Sequence, residues 1–325
     1  MRRLLRLIAV TTSLALLAAC GGSGDDGKAE DSTGMTEVHV SDVAGIPAAF
    51  LEYGKSEGYF EDQGIDLKIT AAVGGAANIP AVTSGEVDVG GSNVTSVLLA
   101  HSKGLPLTII SGGTYATTDP KEDFSAVLVP ADSDIKKPAD LAGKRIAVNT
   151  LKNIGDVTIK AALEEQGVPV DGIEFVEAGF PDMLALLKKG QVDAAWEIEP
   201  FVAIGKAQGN RSVLLPYVQS KPGMMVGSFV TMKDFAAENP DVVSDFRAGV
   251  AKTVESIEQD PKAFRVALTT LTDMKPEVAD TMVIPASQST VDVESLSWMA
   301  DKMTEYGLLK EAADLDGLVA EGAAK

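Results

Sequence analysis

Small and polar residues follow several predicted strands, and their types could bind a ligand. Gly75 and Ala76 lie in the run GGAA, where backbone N–H groups at a helix start could face an anion, although a plain turn is the other interpretation. Asn93 follows the next strand and could contact a ligand while Ser92 caps the following helix. The corresponding later loop supplies one cation, which could instead be a solvated surface lysine. Its candidates are Thr150, Lys152 and Asn153.

Two aromatic residues and a carboxylate stand where the chain should leave a later strand. Trp196 could form a flat apolar wall for a ligand, or it could be buried against the helix that follows. Phe180 has the same two interpretations, as a wall or as core packing. Glu199 could accept a hydrogen bond from an amino group or merely begin a helix favourably before Pro200. Three further ligand-binding candidates complete the set: Asp42, Ile46 and Thr114.

The sequence offers little for catalysis. Cys20 is the sole cysteine, and the two histidines, His39 and His101, form no cluster with metal-ligand spacing. No nucleophile elbow or P-loop is present. We therefore predict no catalytic residue, no metal ligand and no cofactor, although acid–base chemistry by carboxylates in a cleft stays open.

A repeated four-residue sequence motif indicates how the candidate residues are positioned. Gly85-Glu86-Val87-Asp88 recurs as Gly190-Gln191-Val192-Asp193, and each copy closes a strand–loop–helix unit of the same order. The glycine ends a helix and the aspartate begins a short strand, so we expect Asp88 and Asp193 to bond to backbone rather than to ligand. Alternating strands and helices predict an α/β fold with two parallel-type sheets, flanking helices and a ligand cleft between two lobes.

Charge and the N-terminal segment limit the partners. The formal charge is −19 and the 28 basic residues form no long run, which argues against nucleic acid. Residues 1–19 combine early arginines with a short apolar run, as in a signal peptide. The sequence LAAC ending at Cys20 resembles a bacterial lipobox, with Cys20 as the lipidated residue and residues 20–35 as a flexible tether. We expect a globular protein anchored by lipid to the extracytoplasmic face of the cell membrane.

Six stretches together carry a family resemblance. They are GYFEDQGIDLKI, SGEVDVG, KGLPLTIISGG, DLAGKRIAV, LKKGQVDAA and ENPDVVSDF. The set resembles the substrate-binding proteins of ABC importers, in the branch for nitrate, taurine, aliphatic sulfonates and thiamine-pyrimidine precursors. It covers most of the chain from Val38 to about Phe264.

The resemblance implies a monomeric, bilobed periplasmic-binding-protein-like fold that closes on a small solute and delivers it to an ABC permease and its ATPase. It places lobe one at residues 36–117 and 228–325 and lobe two at 118–227, with crossings near 114–124 and 217–228. We expect an anionic organic solute, a sulfonate or a carboxylate, with an aromatic part if Trp196 is a wall. The alternatives are a pyrimidine or nitrate cargo, a ligand-sensing receptor, or a single-turnover enzyme on the same fold, whose Cys/His-rich segment this chain lacks.

Overall fold

The computed structural model describes residues 34–272, 274–311 and 313–325. The predicted signal peptide, Cys20 and the tether as far as residue 33 lie outside the described residues. Within the described ranges, no helix combines the length and the apolar character needed to cross a membrane.

Strands and helices alternate through most of the chain. The strands are β1 Thr36–Val43, β2 Ile65–Ala72, β3 Val89–Asn93, β4 Leu107–Gly112, β5 Thr114–Tyr115, β6 Ser125–Pro130, β7 Arg145–Val148, β8 Glu174–Glu177, β9 Ala194–Ile198, β10 Asn210–Leu214, β11 Gly227–Met232 and β12 Ala286–Ser287. The helices are α1 Ile46–Ser56, α2 Gly75–Thr83, α3 Val94–Ser102, α4 Ile154–Glu164, α5 Phe180–Lys188, α6 Phe201–Ala207, α7 Pro216–Ser220, α8 Lys233–Glu238, α9 Pro240–Gln259, α10 Pro261–Leu271, α11 Pro276–Thr281 and α12 Val293–Glu305.

The strands form two five-stranded sheets and one small ladder. The first sheet has the order β2-β1-β3-β11-β4, the second has the order β10-β6-β9-β7-β8, and β5 pairs with β12. Pairing around β1 and β7 is parallel, whereas β11 and β6 pair antiparallel with their neighbours. The predicted α/β class is confirmed, and both sheets are mixed rather than wholly parallel because a returning strand enters each one.

The Asn-Pro and Asp-Pro pairs predict the starts of α9 and α10, and the structure confirms both. The starts predicted for α2 and α5 are a few residues too late in the sequence. Pro47 lies in the first turn of α1, and α9 and α10 begin at Pro240 and Pro261 as expected. In contrast, α2 already begins at Gly75 and α5 at Phe180, in stretches predicted as loops. A first helical turn needs no intrahelical N–H bond, so small or proline-flanked residues can start a helix there.

The prediction for the two repeated aspartates is confirmed. A carboxylate oxygen of Asp88 accepts from the His39 N–H at 2.9 Å, and the Asp88 N–H donates to the His39 carbonyl. Asp193 makes the same pair of bonds with Arg145, at 2.8 Å to its carboxylate. In each sheet the aspartate therefore joins the last strand of the unit to the first.

The C-terminal helices cover the first sheet, as predicted. Phe246 and Val250 of α9 and Phe264 of α10 are buried in one apolar cluster with Val38 and Val40 of β1. The tail therefore completes the core of the sheet that the N-terminal strands begin.

Among the described residues, the chain passes between the two five-stranded sheets at two places. One crossing runs from β4 to β6, and the other runs from β10 to β11. They lie side by side, since the Val226 N–H donates to the Thr114 carbonyl at 2.9 Å. Asp123 also joins them, because its carboxylate accepts from the N–H groups of Tyr217 and Val218 at 2.8 and 2.9 Å. The connection between the sheets is thus a paired, cross-linked ribbon.

Candidate functional site

A cavity lies between the two sheets, at the carboxyl ends of their parallel strands. It has a volume of about 70 Å³. A single water needs roughly 10–15 Å³ on the same measure, so the cavity has room for a solute of several heavy atoms. Residues from both sheets and from both crossings line it. This is the position in which open α/β sheets bind ligands.

The N-terminal ends of α1 to α5 contribute to the cavity lining, as does the first turn of α7 through Tyr217. Each of α1 to α5 contributes a residue from its first turn or its N-cap to the lining, and these residues are Pro47, Gly75, Asn93, Ile154 and Phe180. Helix N-termini carry free N–H groups and partial positive charge. The cavity rim is therefore electrostatically suited to an anionic group without the help of a basic side chain.

The wall formed by the second sheet is aromatic. Trp196 is 1% exposed, and its ring centroid lies 5.6 Å from that of Phe180 and 6.0 Å from that of Tyr217. Gly155 leaves room for it, because an added Cβ there would lie 2.8 Å from Trp196 Cε3. Trp196 is thus both buried in the core and part of the cavity lining, and its contact with a ligand stays a prediction. Its Nε1–H has no hydrogen-bond partner among the described residues.

One carboxylic acid, Asp42 at the end of β1, lies on the opposite wall. Its side chain is buried, and burial raises its pKa to about 7. The hydrogen bond from the Val43 N–H partly opposes this rise. Among the described lining residues none is Lys, Arg or His. The formal charge that faces the solute is therefore that of Asp42 alone.

Six of the predicted binding residues line this cavity and six do not. The lining ones are Asp42, Gly75, Asn93, Thr114, Phe180 and Trp196. The other six, which lie off the lining, are Ile46, Ala76, Thr150, Lys152, Asn153 and Glu199. Contact between solute and any of the twelve stays a prediction.

The prediction that Ser92 caps α3 is wrong. Asn93 is the N-cap of α3 and accepts from the Ser96 N–H at 2.9 Å, whereas we expected Ser92 to be the cap. The Ser92 hydroxyl instead donates to the Gly75 carbonyl at 2.9 Å. The cap lies one residue later because β3 continues through Asn93, which an alternation of buried residues alone does not reveal.

In the loop before α4, Lys152 is exposed and does not line the cavity, whereas Asn153 is buried. Lys152 is exposed and has a positive φ of 54°, and its N–H donates to Asp156 at 2.8 Å. Asn153 caps α4 and donates from Nδ2 to the Ser96 hydroxyl at 3.0 Å. Asn153 thus links the start of α4, beside the second sheet, to α3, beside the first sheet.

Glu199 forms a second bond across the cleft. One oxygen accepts from the Ala203 N–H and the other from the Val283 N–H, both at 3.0 Å. Burial raises its pKa to about 7, and the two backbone bonds lower it. The expected helix-start role is present at Ala203, and the link to Val283 was not foreseen.

Glu197 is a buried acid on the face of β9 away from the cavity. It is 0% exposed, and neither carboxyl oxygen has a partner among the described residues. Burial raises its pKa to about 9. The group is therefore a neutral carboxylic acid at pH 7.

Several lining residues were missed from the sequence. Tyr217 lies in the second crossing, Ser228 lies on β11, where that crossing ends, and Phe124 comes from the first crossing. Asn149 directly follows β7, next to the candidate Thr150, but it was not among the predicted binding residues. Strand ends could have indicated Asn149, but nothing local marks the crossings as cavity walls. In the described part of the chain no group of His, Cys, Asp and Glu is arranged to hold a metal ion.

The fold is shared with a known class of binding protein. The alkanesulfonate-binding protein SsuA from Xanthomonas axonopodis pv. citri, solved bound to MOPS, superposes with a TM-score of 0.74 over 87% of this chain and 98% of that one, at 20% identity. A bilobed periplasmic-binding-protein fold with a cleft between its sheets is thereby confirmed.

Sequence comparison places the chain in its family. Residues 48–264 match the family described as NMT1/THI5 like, and the chain belongs to that family. The taurine-binding periplasmic protein of Escherichia coli K12 is 27% identical over 172 residues, which is 53% of this chain and 51% of the relative, so the match spans about half of that protein's length. The formylaminopyrimidine-binding protein of Halalkalibacterium halodurans is 23% identical over 304 residues, 92% of this chain and 86% of the relative.

Proposed function

We propose that this chain is an extracytoplasmic solute-binding protein that captures a small organic solute and presents it to an ABC permease and its ATPase. The observation that carries this proposal is the cavity between the sheets, with aromatic rings on one side and helix N-termini around it. Such cavities combine an apolar wall with a few placed polar groups, which is the usual composition of a small-molecule site.

The predicted anionic group of the solute would lie at the helix N-termini. Gly75 is suited to this contact, since it starts α2 without a side chain and lies on the lining. The names of the taurine-binding and alkanesulfonate-binding relatives support a sulfonate, and that of the formylaminopyrimidine-binding relative supports the pyrimidine alternative.

The cellular setting is part of the same proposal. A monomer would be tethered through a lipid on Cys20 to the outer face of the membrane, with residues 36–117 and 228–325 as lobe one and 118–227 as lobe two. The membership of the strands in two sheets supports these lobe boundaries. A signalling receptor would use the same cleft, so the two differ in their protein partner.

Binding without chemical change is favoured over catalysis. Of the described acids, Asp42 is the one that lines the cavity, and no histidine stands beside it. The other titratable residue among the described lining ones is Tyr217, and burial raises its pKa further above its usual value of 10, so it is poorly suited to pair with Asp42 in acid–base catalysis near pH 7. The solute should therefore leave the cleft unaltered.

A thermal-shift screen of the full-length chain tests the proposal. The panel is nitrate, bicarbonate, taurine, alkanesulfonates, aromatic carboxylates and pyrimidines. A solute at a hundred times its Kd should stabilise the folded chain by about 2.7 kcal/mol, which raises the Tm measurably. A hit recovered unchanged supports solute capture. A hit converted to product would instead support an enzyme on this fold.

A further inference from the structure

The least satisfied charged group in the cavity is the carboxyl group of Asp42. Asp42 is 4% exposed. Among the described residues, its carboxyl group accepts one hydrogen bond, from the backbone N–H of the adjacent Val43 at 2.7 Å. A carboxylate has room for about four such bonds. Most of its acceptor capacity is therefore unused by the protein.

Two other buried acids of the chain, Asp123 and Glu199, are better satisfied. Asp123 accepts from three backbone N–H groups, those of Ser125, Tyr217 and Val218. Glu199 accepts from two, which come from different parts of the chain. Neither acid lines the cavity, whereas Asp42 does. Glu197 also has unused acceptor capacity but does not line the cavity, so Asp42 is the under-satisfied buried acid that a solute in the cavity can reach.

The chain makes room for this carboxyl group at Gly91. A Cβ added at Gly91 would overlap the Asp42 carboxyl oxygens. Gly91 lies on β3, and its position in the repeated unit corresponds to that of Trp196 in the second sheet. The first sheet therefore presents a carboxyl group where the second presents a ring, so the two walls of the cavity differ in chemistry.

A second unpartnered group supports a polar ligand at this wall. The Ser228 hydroxyl is buried, lines the cavity and has no hydrogen-bond partner among the described residues. Buried polar groups left without partners cost free energy, so a solute that bonds to them is favoured over an apolar one. Ser228 and Ser92 lie opposite each other in the register of β3 and β11, beside Gly91.

We propose that Asp42 determines specificity by pairing with a cationic or N–H-donating nitrogen of the solute, which is therefore an amino-bearing compound. The inference rests on the proposed function, because it assumes that the cavity holds the transported solute. No described Lys, Arg or His lines the cavity to pair with Asp42, so a nitrogen of the solute is the partner that can reach this carboxyl group. An anionic end of the same solute would lie away from Asp42, at the helix N-termini.

Matched pairs of compounds test this specificity by calorimetry on the full-length chain. The pairs are taurine with ethanesulfonate, β-alanine with propionate, and 4-aminopyrimidine with pyrimidine, which differ in the amino group. In at least one pair the amino member should bind about tenfold to a hundredfold more tightly, as expected for a hydrogen bond to a charged group. Asp42→Asn should reduce that ratio to within about threefold, with an unchanged Tm as the check on folding.

Asp62→Asn is the matched control, since Asp62 is exposed and remote from the cavity, and it should leave the ratio unchanged. Ser228→Ala is a second variant with little risk to folding, and it should weaken the amino member severalfold. Equal binding within every pair, no binding by any amino compound, or an undiminished ratio in Asp42→Asn would each overturn the inference. Binding of the compounds without an amino group alone would overturn the inference about Asp42 but would still support the proposed capture of a solute.

Discussion

Replacing the buried acid Glu197 with glutamine should change how stability depends on pH. Glu197 is 0% exposed and has no partner for either oxygen among the described residues. Burial raises its pKa from 4.5 to about 9 in the folded chain. In Glu197→Gln that position no longer carries a titratable group.

The sign follows from proton binding. Between pH 4.5 and about 9 the folded chain keeps the Glu197 proton, whereas the unfolded chain has released it. Stability therefore falls as pH rises through this window, by about 1.4 kcal/mol for each pH unit. From about pH 5.5 to about pH 7.5 the contribution of this one group should fall by about 3 kcal/mol.

Urea unfolding at a series of pH values measures the effect. Asp42, Asp123, Asp156 and Glu199 also have raised pKa values, but their contribution is common to both proteins and cancels in the difference. The free energy of unfolding of Glu197→Gln minus that of the natural chain should increase steadily with pH. The buried amide shifts this difference by the same amount at every pH and does not change its slope. Glu258→Gln, on the exposed surface of α9, should run parallel to the natural chain. Parallel curves for Glu197→Gln as well would refute the reasoning, because Glu197 would then be ionised or paired in the folded state.

Three other substitutions test the walls and the links across the cleft. Trp196→Ala should lower the free energy of unfolding by about 3–5 kcal/mol, measured by urea unfolding, and should weaken solute binding, measured by calorimetry. Unchanged values in both assays would rule out a role for Trp196 in the core and in the cavity wall. Ser96→Ala removes the 3.0 Å bond from Asn153 and should weaken solute affinity about fivefold in calorimetry. Unaltered affinity would show that this bond between α3 and the start of α4 does not contribute to solute binding. Glu199→Gln deprives one of two backbone N–H groups of its acceptor, so hydrogen exchange at the Val283 or Ala203 amide should speed up, and equal rates at both sites would contradict the link.

The scaffold could be predicted well because it depends on local signals. The repeated glycine and aspartate identified two copies of one unit, and the hydrogen bonds of Asp88 and Asp193 are those expected of residues at a turn. Helix starts were placed too late at Gly75 and Phe180, since glycine and proline are typical of loops as well as of first turns.

The cavity could be predicted only in part, because half of it is built by distant segments. Strand ends indicated Asp42 and Trp196, which do lie on opposite walls. Tyr217 lies in the second crossing and Ser228 on β11, where that crossing ends. The path of this segment depends on the packing of both sheets and leaves no local pattern. Lys152 was placed at the mouth by its loop, but the bond from its own N–H to Asp156 fixes a turn that carries the side chain into solvent.

The central claim is that the cavity captures a small solute and releases it unchanged. The most direct measurement is mass spectrometry of the compounds released by denaturing the full-length chain after incubation with a metabolite extract, with Trp196→Ala treated in parallel. We expect one small solute enriched near one equivalent per chain, chemically identical to that in the extract, and depleted in the variant. No enrichment over Trp196→Ala, or recovery of a compound absent from the extract, would contradict the account.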